Sequence, residues 1–254
     1  MVLKRLKKIA ATAVMAITAA GAGNFGSTLP TTPLVPTGGY TIHSAPASKV
    51  EVVRPKPGQS FSAFIKSIKG KYRWLVNANY FHPRTRKIIG FAKDDGERLK
   101  SLSPKVSRTA VGIFKDEEGT RIMIGRMLHT ASGKLYAHGN INWLDAFEAV
   151  QGGPKLVEDG KIVVGRPGRN EGFDNNFLSR RTKRTVVGMD RTGKLKTLVF
   201  HVDVSLKRAA QVAKNNGLQQ AVNFDGSDSV VLYDGTLQLH TKGRYPPIYL
   251  AARK

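Results

Sequence analysis

Residues 221–235 set a tight polar cluster between two apolar runs, and this limits what the surrounding chain can form. Ala221 and Val222 lead into Asn223, Asp225, Gly226, Ser227, Asp228 and Ser229. Residues 230–233 are apolar again, and Asp234-Gly235 is a turn signal. The pattern predicts a strand, a polar loop, a second strand and a hairpin turn. Two carboxylates, an amide and two hydroxyls are more than a turn needs. Gly226 allows a positive φ or a close backbone approach to a ligand. At this point two readings stand: a ligand-facing loop, or an Asx-rich turn whose side chains cap their own backbone.

The segments around it alternate between strand and helix signals. Residues 194–204 read as a strong strand. Ser205 then caps a helix carrying Leu206, Ala209, Ala210, Val212 and Ala213, and Asn216-Gly217 ends it. With the strand at 221–224 this predicts one β-α-β unit. Phe61, Phe64, Ile65 and Ile68 have helical spacing behind a Ser60 cap. Strands are predicted at 51–54, 72–76 and 161–164, and a hairpin over 108–127 around Asp116-Glu117-Glu118-Gly119. Trp143, Phe147 and Val150 share a face and predict a short helix over 142–150. The fold class is α+β: a mixed sheet made largely of hairpins, with helices packed on it.

At the N-terminus, Lys4, Arg5, Lys7 and Lys8 precede an apolar stretch, 9–20, and the small-x-small run Ala20-Gly21-Ala22. This is the form of a signal peptide over 1–22, so the chain is expected to be exported, periplasmic or secreted. The apolar stretch is short for a membrane span, and after processing no span is expected. Residues 23–48, rich in Gly, Thr, Pro and Ser, predict a flexible linker, with the domain over 49–254.

The 254 residues hold no cysteine, which excludes disulfides, thiolate metal sites and cysteine nucleophiles. Net charge is +23, and loss of the four basic residues before position 9 brings it to +19. A charge this large favours anionic partners. An exported chain meets anionic glycans and phosphate-rich envelope polymers; no nucleic-acid motif is present, so no specific nucleic acid is expected. A solvated basic surface is the plain alternative.

Four further segments bear on function. Asn77-Ala78-Asn79-Tyr80-Phe81 follows an apolar run. Gln151-Gly152-Gly153-Pro154-Lys155-Leu156-Val157 precedes a turn. Arg184-Thr185-Val186-Val187-Gly188 precedes another, and Gly243-Arg244-Tyr245-Pro246-Pro247 lies near the end. In this order, and with the loop at 223–229, they resemble the phosphodiester glycosidase family over roughly residues 72–252. Asn79, Ser227 and Asp228 stand where that family has glycine, and Val230 replaces a serine.

The resemblance implies an exported hydrolase that cleaves a sugar-1-phosphodiester bond in an envelope or extracellular glycan. The competing reading is a non-catalytic module that binds anionic polysaccharide through the same pocket. Cleavage requires a held phosphate, a stabilised oxocarbenium and a proton acceptor or donor. Asp225 is assigned the proton transfer or the nucleophilic role, Arg184 the phosphate clamp, and Asn77 the contact to substrate hydroxyls or to the Asp225 loop. Gly152 and Gly153 either expose N–H groups to an oxyanion or form a turn. Thr185, Gly226, Ser229 and Arg244 line the substrate side, and His82, beside the Asn77 loop, is a candidate proton shuttle. No His-x-x-x-His or EF-hand spacing occurs. No metal ligand is assigned and no cofactor is required by the motifs; a calcium ion held by carboxylates such as Asp203, Asp225 and Asp228 is the one candidate.

Overall fold

In a computed structural model, the residues described are 38–103, 107–129, 135–136, 142–240 and 244–254. Period-2 alternation organises almost all of them. In Thr109–Asp116, Val111 and Ile113 face one core while Ala110 and Phe114 face another. In Tyr72–Asn77, Trp74 and Val76 join the first core and Leu75 turns away from it. In Thr185–Asp190 and Leu195–Phe200, Val187 and Val199 point in, and Val186 and Leu198 point out. Alternation of this kind gives each sheet two apolar faces.

Three large sheets result, and they share the central core. The six-stranded sheet runs in the order Tyr40–Ala45, Leu195–Phe200, Thr185–Asp190, Leu218–Asn223, Lys155–Glu158, Lys161–Ile162. The first five-stranded sheet runs Leu237–Leu239, Leu232–Tyr233, Tyr72–Asn77, Tyr249–Arg253, Val50–Val53. The second runs Glu97–Arg98, Ala92–Asp94, Glu148–Gln151, Thr109–Asp116, Gly119–Arg126. Their pairings are antiparallel throughout, while Ile88–Ile89 and Ser101–Leu102 pair in parallel. Helix Leu206–Asn215 packs on the outer face of the six-stranded sheet. Its N-cap Ser205 accepts the Arg208 N–H, and Gly217 follows at φ 80°. Helix Phe61–Ile68, capped by Ser60, covers the outer face of the first five-stranded sheet. The class is α+β, dominated by strands.

Three expectations are corrected. The strand–helix–strand succession at 195–223 is present, but its two strands are not neighbours. Thr185–Asp190 lies between them and pairs antiparallel with both, so the β-α-β unit is split. Residues 142–150 are not a helix. Trp143–Asp145 forms a single 3-10 turn and Glu148–Gln151 is a strand held between two others, a pairing that outweighs the local spacing. The linker expected over 23–48 gives way to an edge strand, Tyr40–Ala45, paired along its length with Leu195–Phe200, and Tyr40 packs on Phe200 at 5.5 Å. The domain therefore begins before residue 49. The proposed signal peptide and residues 23–37 lie outside the described residues.

Candidate active site

The polar loop at 224–231 leaves one sheet and enters another. Leu218–Asn223 belongs to the six-stranded sheet and Leu232–Tyr233 to the first five-stranded sheet, so the two apolar runs flanking the loop are not a hairpin. Asn77 closes the junction from the end of its own strand. Its amide nitrogen donates to the Asp225 carbonyl at 2.7 Å. Its amide oxygen accepts from Thr185 Oγ1 at 2.6 Å and from the Val231 N–H at 3.1 Å. Asn77 and Thr185 are both fully buried, and all three bonds are internal. Their place at this site is to hold the loop.

Asp225 is partly exposed. Burial pushes its carboxyl up to about 6, against the opposing pull of the Ser229 hydroxyl, the Gly226 N–H and the charges of Arg244 and Arg184. The Gly226 N–H reaches Asp225 Oδ1 at 2.9 Å. A carboxyl lifted by desolvation and ringed by donors and cations is the kind of group that exchanges protons near neutral pH. Gly226 is required by packing: a Cβ there would lie 2.6 Å from the Lys183 carbonyl oxygen. Ser227 has φ 57°, so the backbone keeps the left-handed conformation that suits glycine although serine occupies it. Asp228 is exposed.

Beneath the loop lies an aromatic and cationic group that the sequence reading did not bring together. Tyr80 donates to the Gly153 carbonyl at 2.6 Å and accepts from Asn223 Nδ2 at 3.0 Å. Its ring packs near Phe173 and Phe177, which stack at 4.6 Å. Arg108 sits 4.3 Å from the Phe173 centroid and 5.3 Å from that of Tyr80, and Arg184 lies 5.3 Å from that of Phe177. Glu171, 2% exposed, accepts the N–H groups of Thr109 and Lys155 and the Thr109 hydroxyl; burial raises its carboxyl. It ties residues 153–155 to the strand carrying Thr109. Tyr80 lies in the Asn77–Phe81 motif, but Arg108, Glu171, Phe173 and Phe177 come from segments with no pattern pointing to the site.

A family model for phosphodiester glycosidases matches residues 70–247. The chain belongs to the phosphodiester glycosidase family. Solved structures agree on the fold. The zebrafish N-acetylglucosamine-1-phosphodiester alpha-N-acetylglucosaminidase catalytic domain, auto-inhibited by its pro-peptide, is 18% identical, over 85% of this chain and 83% of that chain, with a TM-score of 0.61. A hypothetical protein from Synechocystis is 13% identical over 85% and 60%, with a TM-score of 0.59. A Burkholderia pseudomallei protein named as a candidate exported protein is 13% identical over 82% and 71%, with a TM-score of 0.61. No curated protein matches the sequence.

Set against the phosphodiester glycosidase motifs, the assigned residues divide. Asn77, Thr185, Asp225, Gly226 and Ser229 converge, and Arg184 and Arg244 both act on the Asp225 carboxylate. Arg184 is only 1% exposed, and its Nη2 is spent on the Arg180 carbonyl at 2.7 Å. It offers its charge rather than an open fork; Arg244 is the exposed guanidinium at the loop. Gly152 and Gly153 do not present free N–H groups. Gly152 donates to the Thr109 carbonyl at 2.8 Å and Gly153 to that of Asn223 at 2.7 Å. Both are glycine because their neighbours leave no room: a Cβ at Gly152 would meet Phe224 at 2.4 Å, and one at Gly153 would meet Phe173 at 2.6 Å. His82 accepts the Thr85 N–H at Nδ1 in the turn at 82–87, and no described contact joins it to Asp225. Asn79, in place of a family glycine, is buried and bonds the Phe91 carbonyl and the Gln151 N–H. Among the described residues no group of three or more histidines or carboxylates converges as a metal site, and no helix is long and apolar enough to cross a membrane.

Proposed function

We propose that this protein is an exported hydrolase that cleaves a sugar-1-phosphodiester bond, with residues 1–22 removed on export. The observation that supports it most is the partly exposed Asp225 carboxyl, raised to about 6 beside two guanidinium groups on a loop joining two sheets. Arg244, the exposed guanidinium, holds the anionic phosphate; Arg184 supplies a buried positive charge. Breaking the C1–O bond leaves the electron pair on the phosphate oxygen. The departing phosphate monoester has a second pKa of about 6 and needs no proton to leave at neutral pH. The ionised Asp225 faces the developing oxocarbenium. As water forms the new C1–O bond, Asp225 accepts its proton and returns it to solvent. A single carboxylate therefore suffices where ordinary glycosidases use a pair.

Calcium remains a candidate ion because Asp225 and Asp228 share the loop; melting curves recorded in chelator and in calcium test it. The second reading is the non-catalytic anionic-glycan module, favoured by the exposed Asp228 and the strained Ser227 where the family has glycines. Incubating the mature chain with α- and β-linked sugar-1-phosphodiesters separates the two. Release of free sugar supports hydrolysis, and binding without release supports the module.

A further inference from the structure

Next to the Tyr80 segment lies a cationic cleft. The Ile89 N–H donates to the Tyr80 carbonyl at 2.8 Å and Phe81 bridges Ile88, so the Ile88–Ile89 strand runs beside the site. Ser101–Leu102 pairs in parallel on its far side, with Ile88 opposite Ser101. Strands are spaced by about 4.8 Å, so the cleft begins about two strand widths from Tyr80. Register places Lys87 and Lys100 side by side, each directly before a paired residue. Lys87, Arg98 and Lys100 line one cavity of about 570 Å³ together with Leu99, Ser101 and Leu102.

Like charges opposite one another on paired strands are destabilising. Here no carboxylate offsets them: among the described residues, none of the three cations forms an ion pair. Arg98 is steadied over the Phe91 ring, 5.4 Å from its centroid. The row does not stop at the cleft. Arg86, beside Lys87, donates to the Tyr245 carbonyl at 3.1 Å, next to Arg244, whose charge acts on Asp225. Arg86 thus ties the segment entering the cleft to the segment that carries Arg244.

We infer that this cleft is a second anion subsite, which takes a further phosphate of the same bound chain, and that the substrate is a chain of phosphate-linked sugars rather than a single small diester. The inference rests on the hydrolase reading only for what the bound chain is used for. A repeating polyanion engages both sites at once and gains from each, whereas a single small diester gains from one.

The test is direct binding of the full chain to inorganic polyphosphate, followed by calorimetry at low and moderate salt. The Lys87→Gln/Lys100→Gln variant is expected to bind about tenfold more weakly at low salt, with a shallower salt dependence. The charge-matched variant Lys207→Gln/Arg208→Gln, on the exposed face of the helix Leu206–Asn215, is expected to bind like the wild type. Arg98→Gln alone gives an independent, smaller loss. Equal weakening in both double variants, no weakening in the cleft variant, or no binding by the wild type overturns the proposal. No turnover is needed for this readout, so failure here is distinct from failure of hydrolysis, which is assayed on a small sugar-1-phosphodiester.

Discussion

Asn77 Nδ2 donates to the Asp225 backbone carbonyl at 2.7 Å, fastening the end of one sheet to the loop that leaves another. The same amide accepts from Thr185 and Val231, so one buried side chain fixes three segments. Asn77→Ala strands the Val231 N–H and the Thr185 hydroxyl in the core. Each orphaned buried group costs about 1–3 kcal/mol, so a loss of about 3 kcal/mol and a clear fall in melting temperature are expected. Thr185→Val removes one of these bonds and is expected to cost less. An Asn77→Ala protein that melts with the wild type would mean the junction is held by something else.

The pH dependence follows from Asp225. In the proposed mechanism the ionised form works, and its carboxyl titrates at about 6. The rate should climb from pH 5 to 7 with a midpoint near 6. Arg184 draws that carboxyl downward, so Arg184→Met, which keeps most of the buried volume, is expected to move the midpoint to higher pH. A midpoint that stays in place or moves to lower pH contradicts the electrostatic role given to Arg184.

Stability should respond to the same group in the opposite sense. The folded state holds the Asp225 proton more tightly than the unfolded chain, so this stabilisation is present in acid and is lost as pH rises from about 4 through 6. Asp225→Asn removes the cost of a partly desolvated charge and can still accept the Gly226 N–H. Calorimetric scans at pH 7 should place its melting temperature at or above that of the wild type; a marked drop would show that the carboxylate is structural.

Ser227 holds φ 57°. The left-handed conformation costs a non-glycine residue about 1–2 kcal/mol, partly offset by the lower unfolded-state freedom of serine. Ser227→Gly should therefore melt no lower than wild type, and Ser227→Val, with a branched Cβ, should melt lower. Thermal melts of the pair check this, and the reverse order would remove the strain argument.

Much of the frame was legible in the chain. Ser60, Ser205 and Asn216-Gly217 marked helix ends because capping is local, and the Asp116–Gly119 turn marked its hairpin for the same reason. The motifs at 77–81, 184–188 and 223–229 marked the candidate site, and Asn77, Thr185 and Asp225 meet there. What failed was non-local. Tyr40–Ala45 pairs with a strand 150 to 160 positions away, and nothing in its Gly- and Thr-rich surroundings announces that. Trp143, Phe147 and Val150 have helical spacing, yet two flanking strands claim Glu148–Gln151. Arg184 carries the family position but not the exposure a clamp needs, and Arg108, Glu171 and Phe173 meet only through the fold.

The central claim is that Asp225 carries the proton in hydrolysis of a sugar-1-phosphodiester. Its most direct test is the rate of free-sugar release by wild type and by Asp225→Asn at pH 7, with melting curves for both. Measurable release by the wild type is expected, with a loss of about 10²–10⁴-fold in a variant that remains folded. Release by folded Asp225→Asn at the wild-type rate would contradict it.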